Sequence, residues 1–196
     1  MRANLILRSV SFSALLGLCG SALAQVGSGA VALGAGGATE SFDGLAASGE
    51  SSTLPAGWYF REAGGSTTTT YQADDGNLNG GNVYSYGSSG AGERAFGTLA
   101  TNSLGSSGTV VAEIGARITN QTGATLNSLP VRYFGELWRL QVAGVDALVF
   151  EYSSDATSLT TGTWAAFGAL DFATPGVSGI GPKDGNLAAN RVEVTA

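Results

Sequence analysis

The chain has 196 residues, with 9 basic and 15 acidic side chains, a formal net charge of −6, one cysteine and no histidine. This negative charge argues against binding to nucleic acid and against docking on anionic membranes, because both need clustered positive charge. The absence of histidine excludes Ser-His-Asp and Cys-His catalytic systems and histidine-ligated zinc, so carboxylate chemistry is the route left to an enzyme.

Residues 1–24 have the pattern of a Sec-type secretory signal peptide. Arg2 and Arg8 flank the start of a short apolar stretch, SVSFSALLGLCG, and a small-x-small tripeptide ends at Ala24, where signal peptidase would cut. The apolar stretch is too short to span a bilayer comfortably, so we expect cleavage rather than an uncleaved anchor. A lipoprotein signal ending at Cys19 is disfavoured by the bulky leucine before it. The sequence therefore predicts a secreted or cell-surface protein.

Cleavage after Ala24 would leave residues 25–196 as the mature chain. The only cysteine would leave with the signal, so the mature chain would have no disulfide and no thiol chemistry. Residues 25–37, QVGSGAVALGAGG, are rich in glycine and alanine and are typical of a flexible lead-in. We expect residues 38–196 to form one domain that does not insert into a membrane.

Alternation of apolar and polar residues predicts strands rather than helices. In residues 109–120 the alternate positions from Val110 to Ile118 are apolar, while Glu113 points to the other face, and residues 146–155 repeat this pattern. Further predicted strands are 39–45, 57–62, 82–86, 94–100, 126–141 and 163–172, separated by clusters of Gly, Ser, Thr, Asn and Asp. No segment keeps a helical apolar period over three turns. We therefore predict an all-β fold, specifically a two-sheet antiparallel β-sandwich of jelly-roll type.

Separated stretches of the chain, taken in order, resemble a domain of secreted and surface-anchored bacterial proteins. They are FDGL (42–45), LPAGWYF (54–60), YSYGSSGAGERAFGTL (84–99), TNQTGATLNSL (119–129), GELWR (135–139), FEYSSDATSLTTGTW (150–164), LDF (170–172) and DGNLAANR (184–191). The domain that they resemble is a jelly-roll-like β-sandwich. It is found in proteins with a C-terminal sorting signal of the PEP-CTERM type and beside extracellular nuclease domains.

The resemblance implies a non-catalytic extracellular module and does not identify its ligand. Our own expectation is a surface or accessory domain that binds glycans or other matrix components. In the family, the stretch similar to residues 189–191 is followed by further strands, so residues 38–196 are expected to be a fragment without its last strands. The alternative is a targeting domain of a larger secreted hydrolase of the nuclease or phosphatase type, whose catalytic part is absent. The oligomeric state is left open.

One carboxylate stands among large apolar side chains in FGELWR (134–139). In a strand, alternate side chains share a face, so Glu136 would lie with its aromatic neighbours. A lone buried carboxylate is costly unless it is paired or protonated, and the planar guanidinium of arginine suits such pairing. Arg94, Arg139 and Arg191 all lie in the family-like stretches. We expect a structural ion pair of Glu136 with Arg94 or Arg191 that pins two strands together.

An enzymatic interpretation of Glu136 needs a second carboxyl group about 5 to 10 Å away for glycoside hydrolysis. Glu113 and Glu151 lie on predicted strands, but both alternate away from the main apolar face. We therefore expect no catalytic residue and no enzymatic activity.

Aromatic residues suggest a third interpretation, binding to an extracellular polysaccharide. Trp58 and Tyr59 lie beside a predicted loop and are the candidate ligand-binding residues. Trp138 and Trp164 are expected in the core, because large aromatic residues are usually buried in a domain of this size. The warrant for glycan binding is in part an analogy with sandwich-shaped carbohydrate-binding modules.

The stretch ADDGNLNGGN (73–82) brings oxygen-bearing side chains close together in sequence. Asp74, Asp75, Asn77 and Asn79 could surround a calcium ion, although the later bidentate glutamate of an EF-hand loop is missing. A solvated turn is the simpler interpretation, with calcium as its alternative. No other cofactor is expected.

Overall fold

The structure is a computed structural model that describes residues 4–11 (as backbone), 25–64, 67–100, 110–141, 147–176 and 178–196. Within these ranges the prediction of an all-β fold is confirmed, since the only helical elements are 3₁₀ turns at Gly168–Leu170 and Ala188–Asn190. Nowhere in the described ranges is there a helix with the length and apolar character needed to cross a membrane.

The strands form several sheets. In chain order they are β1 (Asn4–Ser11), β2 (Val26–Gly27), β3 (Val31–Leu33), β4 (Glu50–Ser51), β5 (Trp58–Gly64), β6 (Tyr71–Asp74), β7 (Asn82–Tyr86), β8 (Ala95–Leu99), β9 (Val110–Asn120), β10 (Arg132–Glu136), β11 (Arg139–Leu140), β12 (Ala147–Ser153), β13 (Ala165–Ala166), β14 (Phe172–Ala173), β15 (Gly181–Pro182) and β16 (Arg191–Thr195). The predicted strands at 57–62, 82–86, 94–100, 109–120 and 146–155 correspond closely to β5, β7, β8, β9 and β12.

The largest sheet has eight strands, whose main path is β13-β12-β1-β9-β5-β2, with β14 paired to β12 and β3 paired to β9. Its longest pairing is antiparallel, between β5 and β9, and it runs from Trp58 opposite Ala116 to Gly64 opposite Val110. On one face of β9 the β-branched residues Val110, Ile114 and Ile118 alternate with alanines, which gives a face that another layer can cover.

The main core lies between this sheet and a four-stranded sheet with the order β4-β6-β7-β8. Phe60 of β5 and Ile114 of β9 belong to the same buried cluster as Tyr71, Val83 and Phe96 of the smaller sheet. The rings of Phe60 and Phe96 meet edge to face, with centroids 6.3 Å apart. Burial of these aromatic and branched side chains is the main stabilising contribution to the fold.

Two short ribbons, β10–β16 and β11–β15, complete the described strands. The prediction of one continuous strand over residues 126–141 is wrong, because pairing begins at Arg132 and breaks after Glu136. Leu137 and Trp138 are consecutive and only 5% and 3% exposed. Neighbouring residues of a regular strand point to opposite faces, so burying both on this outer ribbon requires the chain to leave the strand.

Three further expectations are corrected. Residues 39–45 form turns rather than a strand, and Phe42 takes a left-handed φ of 65°. Residues 163–172 contain only β13, a 3₁₀ turn and the start of β14. Residues 25–37, predicted as a flexible lead-in, instead contribute β2 and β3, which pair with β5 and β9. Because the stretch is rich in glycine and alanine, it shows little apolar–polar alternation. Its strands form by backbone pairing with β5 and β9.

The predicted signal peptide overlaps β1. The backbone of residues 4–11 forms a strand between β9 and β12 in the eight-stranded sheet. The remaining apolar part of the signal and its cleavage site, residues 12–24, lie outside the described residues.

Candidate functional site

Trp138 occupies the break between β10 and β11 and organises the surface around it. Its indole stacks parallel to the ring of Tyr86, with centroids 6.1 Å apart and an interplanar angle of 2°. Tyr84 and Tyr86 belong to the same buried cluster. The tryptophan is therefore a core residue, as expected, but it packs on Tyr84 and Tyr86 of the inner strand β7, in a cluster separate from the main core.

Two glycine-containing loops close on Trp138 from different sides. Gly76 has a φ of 90°, and a Cβ added there would overlap the carbonyl oxygen of Trp138. A Cβ added at Gly185 would overlap the indole ring near Nε1. The backbone N–H of Lys183 donates to the Trp138 carbonyl at 2.8 Å, which fixes the second loop against the break. The loops approach this closely because glycine has no side chain at either contact.

Glu136 is held by this tryptophan. The indole Nε1–H of Trp138 donates to Oε2 of Glu136 at 3.0 Å. Nη2 of Arg191 lies 3.8 Å from Oε1, and the register of β10 and β16 places the two residues directly opposite each other. The carboxyl side chain is only 8% exposed. The structure thus brings Glu136 together with Arg191, one of the three arginines that the sequence offered.

The environment of Glu136 favours its neutral form. Burial is the largest cause and raises the pKa of this carboxyl, and the nearby carboxylates of Glu93 and Asp184 act in the same direction. The hydrogen bond from Trp138 and the charge of Arg191 oppose this rise in the pKa. The effect of desolvation on the pKa of Glu136 therefore outweighs the opposing effect of Arg191 at 3.8 Å. A single contact at this distance attracts the carboxylate less strongly than a bidentate arginine would.

Phe134 departs from the predicted shared face. The side chain is 45% exposed, and the guanidinium of Arg191 lies over its ring at 4.2 Å from the centroid. This cation–π contact orients Arg191 along the ribbon. Arg191 therefore divides its contacts between an aromatic ring and a carboxylate, which limits how closely it can approach Glu136.

Arg94 is not the partner of Glu136 in this structure. It is 2% exposed, and its Nε donates to Ser85 Oγ at 2.9 Å. Its Nη2 donates to the carbonyl oxygens of Ser85 and Asp74. Burial is the main cause that lowers the pKa of this guanidinium. Backbone carbonyls can satisfy an arginine fork as well as a carboxylate does, which a sequence pattern does not reveal.

Arg139 also lies away from Glu136. Its Nη1 donates to the carbonyl oxygens of Gly76 at 2.8 Å and Asn77 at 3.2 Å. Gln141 donates to the carbonyl of Asn79 at 3.0 Å. These three hydrogen bonds attach the loop that contains residues 75–79 to β11 and to the residue that follows it.

These contacts determine the structure of the predicted calcium loop. Asp74 accepts hydrogen bonds from the backbone N–H groups of Gly76 and Leu78, and Asn77 donates to Asp75 Oδ1 at 2.7 Å. The side chains therefore stabilise the turn itself, and a guanidinium covers two of its carbonyls. Among the described residues, no group of three or more acidic, histidine or cysteine side chains is placed to hold a metal ion. Calcium binding stays a prediction.

Of the two residues proposed for sugar stacking, Tyr59 lies in the interior and Trp58 is partly buried. Tyr59 is 7% exposed, and its hydroxyl donates to the carbonyl of Gly29 at 2.7 Å. Trp58 packs edge to face on Phe42 with ring centroids 4.6 Å apart. Trp164 is partly buried against the cluster that contains Tyr59 and Leu159. A ligand at the protein surface would find none of these rings fully open.

The carboxylates considered as companions of Glu136 lie on other elements. Glu113 of β9 forms an ion pair with Arg61 at 2.7 Å, and Glu151 lies on β12 of the same eight-stranded sheet. Neither belongs to the ribbons that surround Trp138. The geometry that a two-carboxylate glycosidase needs is therefore not formed by the residues that the sequence suggested.

An open cleft of about 320 Å³ lies beside Trp138. We call it the Trp138 cleft; it is lined by Asp75, Ser88, Ser89, Trp138, Pro182, Lys183 and Asp184. A second depression of about 280 Å³ reaches Arg94 and also borders Asp75 and Ser89, so the two are neighbours. The Trp138 cleft places two carboxylates, one ammonium group and two hydroxyls around a shallow floor.

The carboxylates of the Trp138 cleft keep some hydrogen-bonding capacity. Asp75 accepts from Asn77 through Oδ1, and Asp184 accepts from the Asn186 N–H at 3.0 Å through Oδ1. Among the described residues the second oxygen of each carboxylate accepts no hydrogen bond from the protein. These oxygens can accept hydrogen bonds from a ligand.

Sequence reasoning missed two features. Lys183 and Asp184 stand in PKDGN (182–186), a recognisable turn, but their position beside Asp75 depends on tertiary contacts. Glu62 is 1% exposed and accepts from the N–H of Val83 at 2.9 Å and of Thr68 at 2.7 Å. Alternation with Phe60 could have identified Glu62, by the logic that singled out Glu136.

No family model, curated protein or solved structure gives a significant match to this chain.

Proposed function

We propose that the chain is a secreted bacterial β-sandwich of jelly-roll type whose mature part binds glycans at the Trp138 cleft without catalysing a reaction. The observation that carries this proposal is the polar lining of that cleft, in which Asp75 and Asp184 each offer a carboxylate oxygen. The sandwich assignment is supported by the aromatic core between the eight-stranded and four-stranded sheets.

The chemistry of the Trp138 cleft suits a neutral, hydroxyl-rich ligand. Its carboxylates accept hydrogen bonds from ligand hydroxyls, while Lys183, Ser88 and Ser89 can donate to ring and hydroxyl oxygens. The opposite charges of Lys183 and the two aspartates disfavour a strongly charged ligand of either sign. Hydrogen bonds to charged groups contribute about 1.5 to 3 kcal/mol each, so a few of them support specific but modest affinity.

Recognition at this cleft would depend on hydrogen bonds rather than on stacking. Trp138 is 3% exposed, with Tyr86 stacked on its ring and Gly185 packed against its indole. The tryptophan therefore shapes the floor and positions both loops, whereas a stacking platform would need an open ring face.

Several contacts support a non-catalytic role. Glu136 is nearly buried and accepts the indole N–H of Trp138, and Glu113 is paired with Arg61. A general acid needs access to the leaving-group oxygen, and a nucleophile or base needs a position across the same bond. Glu136 is not among the residues that line the Trp138 cleft.

Glycan-array screening of the protein, secreted from a bacterial host, tests this proposal. We expect binding to neutral polysaccharides that falls at least about tenfold in Asp184→Asn, the equivalent of about 1.4 kcal/mol. Glu193→Gln is the matched control, because Glu193 is an exposed carboxylate in a pair with Arg132 on the far part of the ribbon. An array without hits, or release of reducing sugars from a bound glycan, contradicts the proposal.

Secretion is tested on the same material. N-terminal sequencing of the secreted protein should begin at Gln25, the residue after the predicted cleavage site. Retention of the chain in the cytoplasm, or an intact N-terminus on the secreted protein, contradicts a cleaved signal.

A further inference from the structure

Strand β1 lies in the middle of the eight-stranded sheet. It pairs antiparallel with β9, from Asn4 opposite Thr119 to Val10 opposite Glu113. On its other side it pairs antiparallel with β12, from Ile6 opposite Ser153 to Ser11 opposite Leu148. Both neighbours therefore use their backbone groups to hold the same segment.

The same segment belongs to the predicted signal peptide. Strands that have one strand between them are separated by two inter-strand spacings, roughly 9.6 Å, so β9 and β12 cannot bond each other directly across this position. Loss of β1 would leave two facing rows of unpaired N–H and C=O groups inside a sheet. Such rows are a template for pairing with another strand.

We propose that removal of residues 1–24 opens a strand-acceptor slot between β9 and β12, and that the slot takes an extended segment of a partner polypeptide. This inference rests on the cleaved signal of the proposed function. The occupant lies antiparallel to both flanking strands, because β1 does so on both sides.

The register defines the chemistry of that partner. On the core-facing side of the slot, Ile114 of β9 and Phe150 of β12 flank one position, and Ala116 flanks the position two residues earlier in the inserted strand. Small or apolar residues suit these positions. On the other face, Glu151 lies opposite position 8, where this chain has an arginine. Opposite charges directly across strands are stabilising, so the partner strand should have a basic residue there.

A second copy of the chain is a poor donor for the slot. Within the described ranges, every strand from β2 to β16 already pairs with another strand of its own chain. Donation of any of them would break an existing ladder in the donor. A separate polypeptide with an extended, alternating segment meets no such cost.

The slot is tested on the full chain, produced without secretion, with a protease site inserted between Ala24 and Gln25. After cleavage, native mass spectrometry should show the released N-terminal fragment still bound, because both ladders hold it. An excess of a labelled peptide NLILRSVS, corresponding to residues 4–11, should displace the fragment. The uncleaved chain is the control and should not bind the peptide.

Variant peptides distinguish strand insertion from nonspecific adsorption. An Arg8→Pro peptide should bind at least about tenfold more weakly, because proline cannot donate to the ladder in a central strand. An Arg8→Glu peptide should also bind weakly, and Glu151→Lys in the protein should restore its binding.

The proposal is overturned if the cleaved chain neither keeps the fragment nor binds the peptide, if cleaved and uncleaved chains bind equally, or if the cleaved chain forms dimers that exclude the peptide. These readouts do not involve secretion or glycans. An uncleaved signal or an empty glycan array would therefore reject the proposed function separately.

Discussion

Two buried carboxyls, Glu62 in the sheet core and Glu136 on the β10–β16 ribbon, differ in what holds them. Burial raises the pKa of both. Glu62 accepts hydrogen bonds from two backbone N–H groups and from the Thr68 hydroxyl. Glu136 depends on two side chains, the indole of Trp138 and the guanidinium of Arg191.

The two carboxyls therefore have different roles: Glu62 joins segments of the main core, and Glu136 orients Trp138 beside the cleft. Glu62 accepts from Thr68 and from Val83, which lie in different parts of the chain. These hydrogen bonds therefore join separate segments around the main core. Glu136 instead orients Trp138, whose contacts with the loops at Gly76 and Gly185 shape the cleft. The first should matter most for stability, and the second should matter less.

Glu62→Leu should produce the largest loss of stability. It removes the Glu62 oxygens that accept from the Thr68 and Val83 N–H groups. The Val83 N–H keeps Asn82 Oδ1 as an acceptor at 2.7 Å, so the Thr68 N–H loses most, and an unsatisfied buried group costs about 1 to 3 kcal/mol. We expect a decrease of about 2 to 3 kcal/mol in the free energy of unfolding, measured by urea denaturation. Glu62→Gln, which keeps one acceptor oxygen, should lose less. Equal losses in both variants would show that the backbone hydrogen bonds are not the cause.

Gly185→Ala should have the next largest effect. The new methyl group would overlap the indole of Trp138, and overpacking of this kind costs about 1 to 3 kcal/mol. The matched control is Gly92→Ala, because a Cβ at Gly92 meets no atom within 4 Å. Thermal unfolding should separate the two variants. Equal melting temperatures would contradict the close packing of this loop on Trp138.

Glu136→Gln should have a smaller effect. The amide oxygen can still accept the indole N–H, whereas the charge interaction with Arg191 at 3.8 Å is lost. A partly exposed pair of this geometry contributes little, so we expect a decrease of about 1 kcal/mol or less in the free energy of unfolding. Glu193→Gln, in an exposed pair with Arg132, should change it still less. If Glu136→Gln lowers the free energy of unfolding as much as Glu62→Leu does, the proposed difference between the two carboxyls is wrong.

The pH dependence of stability should reveal both buried carboxyls. Because the folded pKa of each carboxyl is raised, the folded state binds more protons than the unfolded state above the usual value of 4.5. Their contribution to stability is thus fully present below pH 4.5 and is lost as pH rises through the folded pKa values. Urea denaturation across this range should show a shallower decline in the free energy of unfolding in both Glu62→Gln and Glu136→Gln than in the wild type. If the free energy of unfolding of the wild type instead rises with pH relative to both variants, the pKa directions are contradicted.

Features that depend on local alternation can be predicted from the sequence, whereas features that depend on contacts between distant residues cannot. Strands β5, β7 and β9 follow from alternation, because their inward faces meet one continuous core. The break at Leu137 and Trp138 was not predictable in this way, since it depends on burial against loops that are distant in sequence. The sequence suggests Arg191 as a partner of Glu136, but the backbone carbonyls that accept hydrogen bonds from Arg94 and Arg139 leave no signal in it.

The most direct test of the account measures glycan affinity and unfolding free energy together in Asp184→Asn and Glu136→Gln. Asp184 lines the Trp138 cleft and is exposed, whereas Glu136 is not among the lining residues and its side chain is only 8% exposed. We predict that Asp184→Asn weakens binding at least about tenfold with unchanged stability, while Glu136→Gln loses stability and binds within about twofold of wild type. Loss of binding in Glu136→Gln with full affinity in Asp184→Asn would contradict the account.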